Sequence, residues 1–283
     1  MLNPFRVTSP DSFVETGGRS ATARVMPRHK RPSRSVIYHI FMALLLGGQV
    51  LVRILLGRVQ HRRVMDHMIA AGPGALMPVL LTNLFAGMIF AVQTAREMER
   101  FGVLHALGGA FALGFCRELA PILSAAILAG QVGAAFAAEI GSMKITEQID
   151  ALKLLRTDPI DYLVTPRVVA CCVMLPVLTM LGLVLGVGGG LLAAMQFYHV
   201  QGAIFLNSVQ MLLEPRDLMA VLLKAVFFGA MIALAGCTWG LTTTCSKGVG
   251  RSATSAVVTT WVALFVVDFF ITLVLLHGVT VTY

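Results

Sequence analysis

Charged residues are scarce in this sequence. Only 13% of the 283 residues are Asp, Glu, Lys or Arg, whereas 57% are hydrophobic, and the mean hydropathy is +0.82. Soluble globular domains carry about 25% charged residues, so the composition excludes that class. Several apolar runs approach or exceed the roughly 20 residues that a helix needs to cross a bilayer. The sequence therefore predicts an all-α, polytopic membrane protein.

Motifs for catalysis and nucleotide binding are also missing. The sequence has no G-x-x-x-x-G-K-[ST] phosphate loop, and its nearest glycine cluster, "GLVLGVGGG" (182–190), lies in an apolar run where small residues allow close helix packing. No Ser/His, paired-Asp or metal-ligand set shares a span, and the five cysteines lack metal-ligand spacing. We predict no enzyme activity, metal or cofactor in this chain; any ATP hydrolysis would occur on a separate subunit.

The net charge of +8 comes largely from the N-terminal part of the chain. Residues 1–35 are rich in Ser, Thr, Arg and Pro, which predicts a disordered basic tail. A weak likeness to a transit peptide is the alternative. Membrane proteins usually carry an excess of Lys and Arg on one side of their spans, so the net charge does not indicate a nucleic-acid partner.

Five apolar runs are long enough to cross a membrane, at about residues 73–95, 119–141, 168–195, 217–240 and 257–276. Residues 103–116 are too short to cross the membrane, so we predict a separate re-entrant or interfacial helix there.

Residues 36–60 carry a thin polar stripe and a basic flank, which favour a helix lying in the interface. If they do not cross, seventeen Lys and Arg lie on one side and three on the other. The positive-inside rule prefers this topology, with the N-terminus in the cytoplasm.

The stretch "EIGSMKITEQIDALKLL" (139–155) interrupts the apolar sequence with charge. Ile145, Ile149 and Leu152 fall at i, i+4 and i+7 and so share one helical face, and Asp158-Pro159 would end the helix. The pattern predicts an amphipathic cytoplasmic helix over residues 144–156. Such a helix either rests on lipid headgroups or docks in a partner's groove. Its mixed-sign charge favours docking.

Four ionisable residues lie within or at the ends of spans, where charge is costly and therefore suggests function: Arg117, Glu118, Lys224 and Asp268. We consider all four as candidates for substrate binding. The alternatives are structural. Lys224 could extend to the headgroups, Asp268 could pair with a cation, and Arg117 with Glu118 could form a buried pair.

The stretch "GFCRELAPILSAAILAGQVGAAFAAEIGSMKITEQIDALKLLRTDPIDYLVTPRVVA" (114–170) resembles the signature region of the MlaE/YrbE permeases. These are membrane subunits of ABC transporters that work with MCE (mammalian cell entry) proteins. The likeness continues through "GLTTTCSKGVGRSATSAVV" (240–258), and "DPIDYLVTPRVVACC" is most similar to the cyanobacterial and chloroplast-envelope branch. Gln131 departs from the family, because many relatives have a basic residue there; a salt bridge or lipid-phosphate contact at that position is in doubt.

The resemblance implies a permease domain over residues 36–283 that acts as a homodimer with an MCE-domain protein, a separate ABC ATPase and phospholipid as substrate. It also implies that residues 144–156 are the coupling helix that seats on the ATPase, with contacts from Glu139, Lys144, Ile145, Glu147, Gln148, Ile149, Asp150, Leu152 and Lys153. The expected location is a bacterial cytoplasmic (inner) membrane, with a plastid inner envelope as alternative. Rival functions are an ion-coupled secondary transporter, with Asp268 and Glu139 as proton relay, and a membrane scaffold.

Overall fold

The computed structural model describes residues 36–57 and 60–280, so the predicted tail at residues 1–35 lies outside the described residues. Over these residues the chain forms α-helices joined by short 3-10 and π-helical turns, without a strand. The helices are α1 (Val36–Leu55), α2 (His61–Arg100), α3 (Leu107–Gly114), α4 (Ala120–Leu128), α5 (Ala134–Ile145), α6 (Gln148–Leu154), α7 (Thr165–Tyr198), α8 (Gly202–Leu212), α9 (Pro215–Leu241) and α10 (Ser246–Thr280).

Six helical stretches in the described part of the chain are long and apolar enough to cross a membrane: Tyr38–Leu55, His61–Arg100, Leu104–Ile145, Ile160–Tyr198, Pro215–Leu241 and Ser246–Leu275. Five of them contain the five apolar runs predicted from the sequence, and the sixth is α1. The prediction of an all-α, polytopic membrane protein is confirmed.

The prediction of a separate short helix at residues 103–116 is wrong. The backbone stays in the right-handed helical region at Gly114 and through a π-helical turn at Phe115–Leu119. The helix therefore continues from α3 into α4, and a second π-helical turn at Ala129–Gly133 leads on to α5. Since the chain does not bend away at residue 116, residues 104–145 form one helical stretch.

Helices α2 and α7 pack closely against each other along small residues. A Cβ at Gly87 would lie 2.1 Å from the carbonyl oxygen of Gly186, so the two backbones touch where neither has a side chain. Beside them, the Asn83 amide donates hydrogen bonds to the Val79 carbonyl at 2.9 Å and to the Ser124 hydroxyl at 3.1 Å. This close approach is what the glycine cluster at residues 182–190 predicts for helices packed inside a bilayer.

The end of α5, the start of α7 and the end of α9 lie together, next to α6. Glu139 of α5 forms an ion pair with Arg167 of α7 at 2.9 Å. A Cβ at Gly141 of α5 would lie 3.2 Å from the hydroxyl of Thr243, just after α9. We refer to this side as the α6 end of the bundle.

Both ends of α1 contact the α6 end of the bundle. Near its start, the His39 ring stacks on Trp239 of α9, with ring centroids 3.8 Å apart. Near its last turn, Arg53 forms ion pairs with Asp158 at 2.6 Å and with Asp161 at 2.8 Å, just before α7. These contacts are about 21 Å apart along the helix axis. A helix crossing the bundle from end to end would place them at opposite ends.

Sequence reasoning assigned no helix between residues 198 and 215, where α8 lies. Phe205 and Val209 of this helix are buried, and the Ser208 hydroxyl accepts a hydrogen bond from the Gly109 backbone N–H of α3 at 3.0 Å. The spacing of Phe205 and Val209, one helical turn apart, is the signal that could have revealed it.

We expect cysteine labelling to place the start of α1 on the same membrane side as its end. In a variant with Cys245 replaced by Ser, a membrane-impermeant maleimide should report Ser35→Cys, Gln60→Cys and Leu155→Cys on one side. Gln201→Cys should be labelled from the other side of the membrane. If Ser35→Cys is labelled from the side opposite to Gln60→Cys, α1 crosses the membrane and the interfacial prediction is overturned.

Candidate functional site

A lysine ammonium group is buried where α9 and α10 meet the π-helical turn at Phe115–Leu119. Lys224 is 2% exposed. Its Nζ donates to the Glu118 carboxylate at 2.7 Å, to the Thr272 hydroxyl at 2.8 Å and to the Arg117 carbonyl oxygen at 3.2 Å. It also forms an ion pair with Asp268 at 2.9 Å. We call Glu118, Lys224, Asp268 and Thr272 the buried charge cluster.

The four members of the buried charge cluster come from three different parts of the chain. Glu118 lies in the π-helical turn, Lys224 near the middle of α9, and Asp268 and Thr272 one turn apart on α10. The Thr272 hydroxyl lies 3.2 and 3.3 Å from the two Glu118 carboxylate oxygens. The cluster therefore links three helical stretches that are more than 40 residues apart in the chain.

The electrostatic balance in the cluster is one cation against two carboxylates. The Lys224 and Asp268 side chains are 2% and 8% exposed, whereas Glu118 is 37% exposed. Moving a charge out of water costs several kcal/mol, which close pairing has to offset. Because Lys224 contacts four acceptors, its ammonium group does not extend to the headgroups.

Arg117 is held by a separate ion pair at the start of α9. Its Nε lies 2.8 Å from one carboxylate oxygen of Asp217, and its Nη2 donates to the other at 2.8 Å. Asp217 also takes part in a capping box with Glu214 that begins α9. Of the four predicted substrate residues, three are thus brought together in the cluster, and Arg117 is paired beside them.

The predicted coupling helix is divided by a turn. α5 continues through Ile145, Glu147 adopts a left-handed conformation with φ of 59°, and α6 covers only Gln148–Leu154. The prediction of one helix over residues 144–156 is wrong, because a turn at Thr146–Glu147 separates α5 from α6. Glu147 and Gln148 are exposed at this turn.

The apolar face predicted from the sequence packs against the permease itself. Ile149 is 2% exposed and belongs to the hydrophobic core, against which Leu152 also packs, and Ile145 is half-buried. Two residues that the periodicity did not select, Leu154 and Leu155, are 87% and 75% exposed. The sequence signal that could have identified these two exposed leucines is their position directly after Lys153, the last charged residue of the stretch.

Ion pairs hold the turn around α6 in place. Asp150 pairs with Lys153 at 2.9 Å and with Lys144 at 3.2 Å. Hydrogen bonds from Lys153 and Lys144 lower the pKa of the Asp150 carboxyl. The Glu139 side chain is 56% exposed and pairs with Arg167. The residues predicted to contact the ATPase therefore lie close together, and most of their charged side chains pair with other residues of this chain.

Residues 64–274 match the family model of Permease MlaE. The chain belongs to the MlaE permease family. A probable ABC transporter permease protein of Synechocystis sp. is 48% identical over 253 residues, covering 89% of this chain and 96% of its own length. The chloroplastic protein TRIGALACTOSYLDIACYLGLYCEROL 1 of Arabidopsis thaliana is 40% identical over 245 residues, covering 86% and 70%. A probable ABC transporter permease protein of Rickettsia prowazekii is 38% identical over 210 residues, covering 74% and 81%.

Membership of the MlaE permease family makes the chain a permease subunit of a transporter, and its relatives named ABC transporter permeases imply an ATPase partner. The resemblance to a cyanobacterial and chloroplast branch is confirmed by the first two relatives. In this MlaE permease the buried charge cluster has the geometry of a structural link. Glu118 alone among its ionisable members has a carboxylate substantially open to a ligand.

Lys224→Met should destabilise the permease, because it leaves the buried Asp268 carboxylate without its cation. Removing one partner of a buried ion pair costs about 3–5 kcal/mol. The double variant Lys224→Met/Asp268→Asn should recover part of this loss, since both buried charges are then removed. Thermal unfolding of the detergent-solubilised protein measures both effects.

Lys247→Met is the matched control, since Lys247 is an exposed lysine on α10. It should unfold like the wild type. Equal unfolding temperatures for Lys224→Met and Lys247→Met would contradict a stabilising role for the cluster. If the double variant loses as much stability as Lys224→Met and Asp268→Asn lose together as single variants, the pair is not coupled.

Proposed function

We propose that this chain is the membrane subunit of an ABC transporter that moves phospholipids between membranes. Two copies form the membrane part, and a separate ATPase and an MCE-domain protein complete the complex. Membership of the MlaE permease family supports the proposal. The structural observation that carries it is an exposed apolar pair, Leu154 and Leu155, on a loop that ion pairs fix to the bundle.

Leu154 and Leu155 are suited to bind a partner. Burying a leucine side chain contributes about 1.5–3 kcal/mol relative to leaving it in water, and both side chains are largely exposed in the isolated chain. Arg156 and Lys153 flank them, so the apolar pair has a charged rim. A small apolar centre within a polar rim is typical of protein interfaces. We propose that the ATPase covers this pair.

The segment that carries the leucines, α6 and the residues after it, contacts three helices: Lys144 of α5 pairs with Asp150 of α6, and α7 follows the segment in the chain. Arg53 connects it to α1 through Asp158 and Asp161, and Arg167 of α7 pairs with Glu139 of α5. A displacement of α6 by the ATPase would therefore move α1, α5 and α7 together. This arrangement supports mechanical coupling between nucleotide hydrolysis and the membrane helices.

The proposed topology has five spans, with α1 in the interface and the α6 end in the cytoplasm. Support comes from the contacts of both ends of α1 with one end of the bundle and from the excess of Lys and Arg on that side. We propose a bacterial inner membrane as the location of the complex. The chloroplastic relative keeps a plastid inner envelope as the alternative.

A lipid with two acyl chains fits the exposed surfaces. One face of α10 is apolar and exposed along several turns, including Val262, Phe265 and Phe269. The partly exposed Glu118 and Arg117 lie in the outer half of the proposed bundle and could contact a headgroup. The name of the Arabidopsis relative contains a diacylglycerol lipid. These features support a lipid substrate, and phospholipid is the class that the family resemblance implies.

Leu154→Asp/Leu155→Asp should release the ATPase while leaving the permease folded. Loss of two leucine contacts, at least about 3 kcal/mol together, corresponds to roughly 100-fold weaker binding or more. Co-expression of permease and ATPase, followed by affinity purification of the permease, measures the retained ATPase. The permease should keep its wild-type unfolding temperature, because both leucines are exposed.

Phe101→Asp provides the matched control, since Phe101 is 75% exposed and lies just after α2, outside α6 and the residues that follow it. It should retain the ATPase. Ile149→Asp should instead lower the unfolding temperature of the permease itself, because Ile149 is buried. Full recovery of ATPase with Leu154→Asp/Leu155→Asp would overturn the assignment of this pair as the ATPase contact.

A further inference from the structure

A cavity of about 840 Å³ with several charged residues in its lining opens where α2 begins. One wall is formed by the first two turns of α2 and the other by the loop before α7 and the start of α7. The arginine, histidine and acidic residues in its lining are His61, Arg62, Arg63, Asp66, His67 and Arg167. We call this cavity the basic pocket. Neither the buried charge cluster nor the exposed leucine pair contributes to its lining.

The basic pocket has an excess of positive charge. Three guanidinium groups line it, against the single carboxylate of Asp66. Including Glu139, which pairs with Arg167 from outside the lining, leaves three cations against two carboxylates. An anionic ligand would balance this excess.

Two of the arginines are fixed in position. The Arg63 guanidinium lies over the Tyr162 ring, 3.1 Å from its centroid, and donates to the Tyr162 carbonyl oxygen at 3.4 Å. Arg167 is 4% exposed, and its Nη1 donates to the Leu163 carbonyl oxygen at 2.9 Å. Guanidinium groups held in place lose little entropy when they bind an anion.

Arg167 also has an unsatisfied donor. Among the described residues its Nε has no hydrogen-bond partner, although the side chain is buried. A buried donor without a partner costs about 1–3 kcal/mol. A buried cation with an incomplete set of partners, in the wall of a cavity, is an observation that points to an anionic ligand and is independent of the charge count.

The start of α2 adds a favourable field for an anion. Gln60 at the N-cap position makes no capping hydrogen bond with its side chain, and the first turn contains no acidic residue. Gln60 and His61 themselves line the pocket. The positive end of the helix macrodipole is therefore directed at the cavity, where it stabilises negative charge.

We propose that the basic pocket binds a phosphate group. It lies at the α6 end of the bundle and just ahead of the apolar run that begins at about residue 73, a level where phospholipid headgroups and dissolved phosphate are both within reach. Arg62 and Arg63 contact the phosphate, and Arg167 supplies a buried charge behind it. The site does not depend on the transport function, and it is separate from the outer half of the bundle.

Binding of short-chain lipids to the full-length permease in neutral detergent tests the proposal. The probes are dioctanoyl phosphatidic acid, dioctanoylglycerol, which has the same chains without phosphate, and inorganic phosphate. Arg62→Gln/Arg63→Gln should weaken phosphatidic acid binding by about tenfold or more, since two charge-assisted contacts are lost. Arg62→Gln alone should cause a smaller loss, and because Arg62 is exposed it leaves the fold intact. Higher salt should weaken binding to the wild type.

The matched control is Arg96→Gln/Arg100→Gln, the same change of charge at the opposite end of α2, which should bind like the wild type. If inorganic phosphate competes with phosphatidic acid at equal affinity, the proposal holds with free phosphate as the ligand. If it competes only weakly, the headgroup phosphate of a lipid is the ligand. Equal affinities for the pocket variant and the control, or for phosphatidic acid and dioctanoylglycerol, would overturn the proposal.

Discussion

The ammonium group of Lys224 is the interaction on which the arrangement of this permease depends. It is 2% exposed, and it contacts acceptors from the π-helical turn of residues 115–119 and from α10. A buried cation has to keep its partners, because losing one leaves an uncompensated charge. The positions of Glu118 and Asp268, and with them the relative placement of three helical stretches, are therefore constrained by one side chain.

The opposite end of the bundle is built on a different principle. There the ion pairs are partly exposed: Arg53 connects α1 to the loop before α7, and Arg167 joins α7 to α5. Exposed pairs contribute little to stability individually, but several of them fix the orientation of a loop. One end of the molecule thus holds the helices together, while the other leaves Leu154 and Leu155 exposed.

Much of the fold could be predicted from the sequence, because long apolar runs leave few alternatives to membrane helices. The orientation of α6 could not be predicted from the sequence. Helical periodicity correctly groups Ile149 with Leu152, but it does not say whether that face turns toward the bundle or away from it. In the structure the chain turns at the left-handed Glu147, Ile149 is buried, and Leu154 and Leu155 are exposed. The charged candidates Glu118, Lys224 and Asp268 were identified individually. Their pairing depends on contacts between residues more than 40 positions apart, which a single sequence does not contain.

Phospholipid movement by the purified complex in proteoliposomes tests the central claim most directly. Permease, ATPase and MCE-domain protein are reconstituted together, and transfer of a fluorescent phospholipid to acceptor vesicles is followed with and without ATP. We predict transfer that requires ATP and the ATPase and that continues when an uncoupler removes the proton gradient. Transfer that proceeds without the ATPase and stops with the uncoupler would contradict this function and identify an ion-coupled transporter instead.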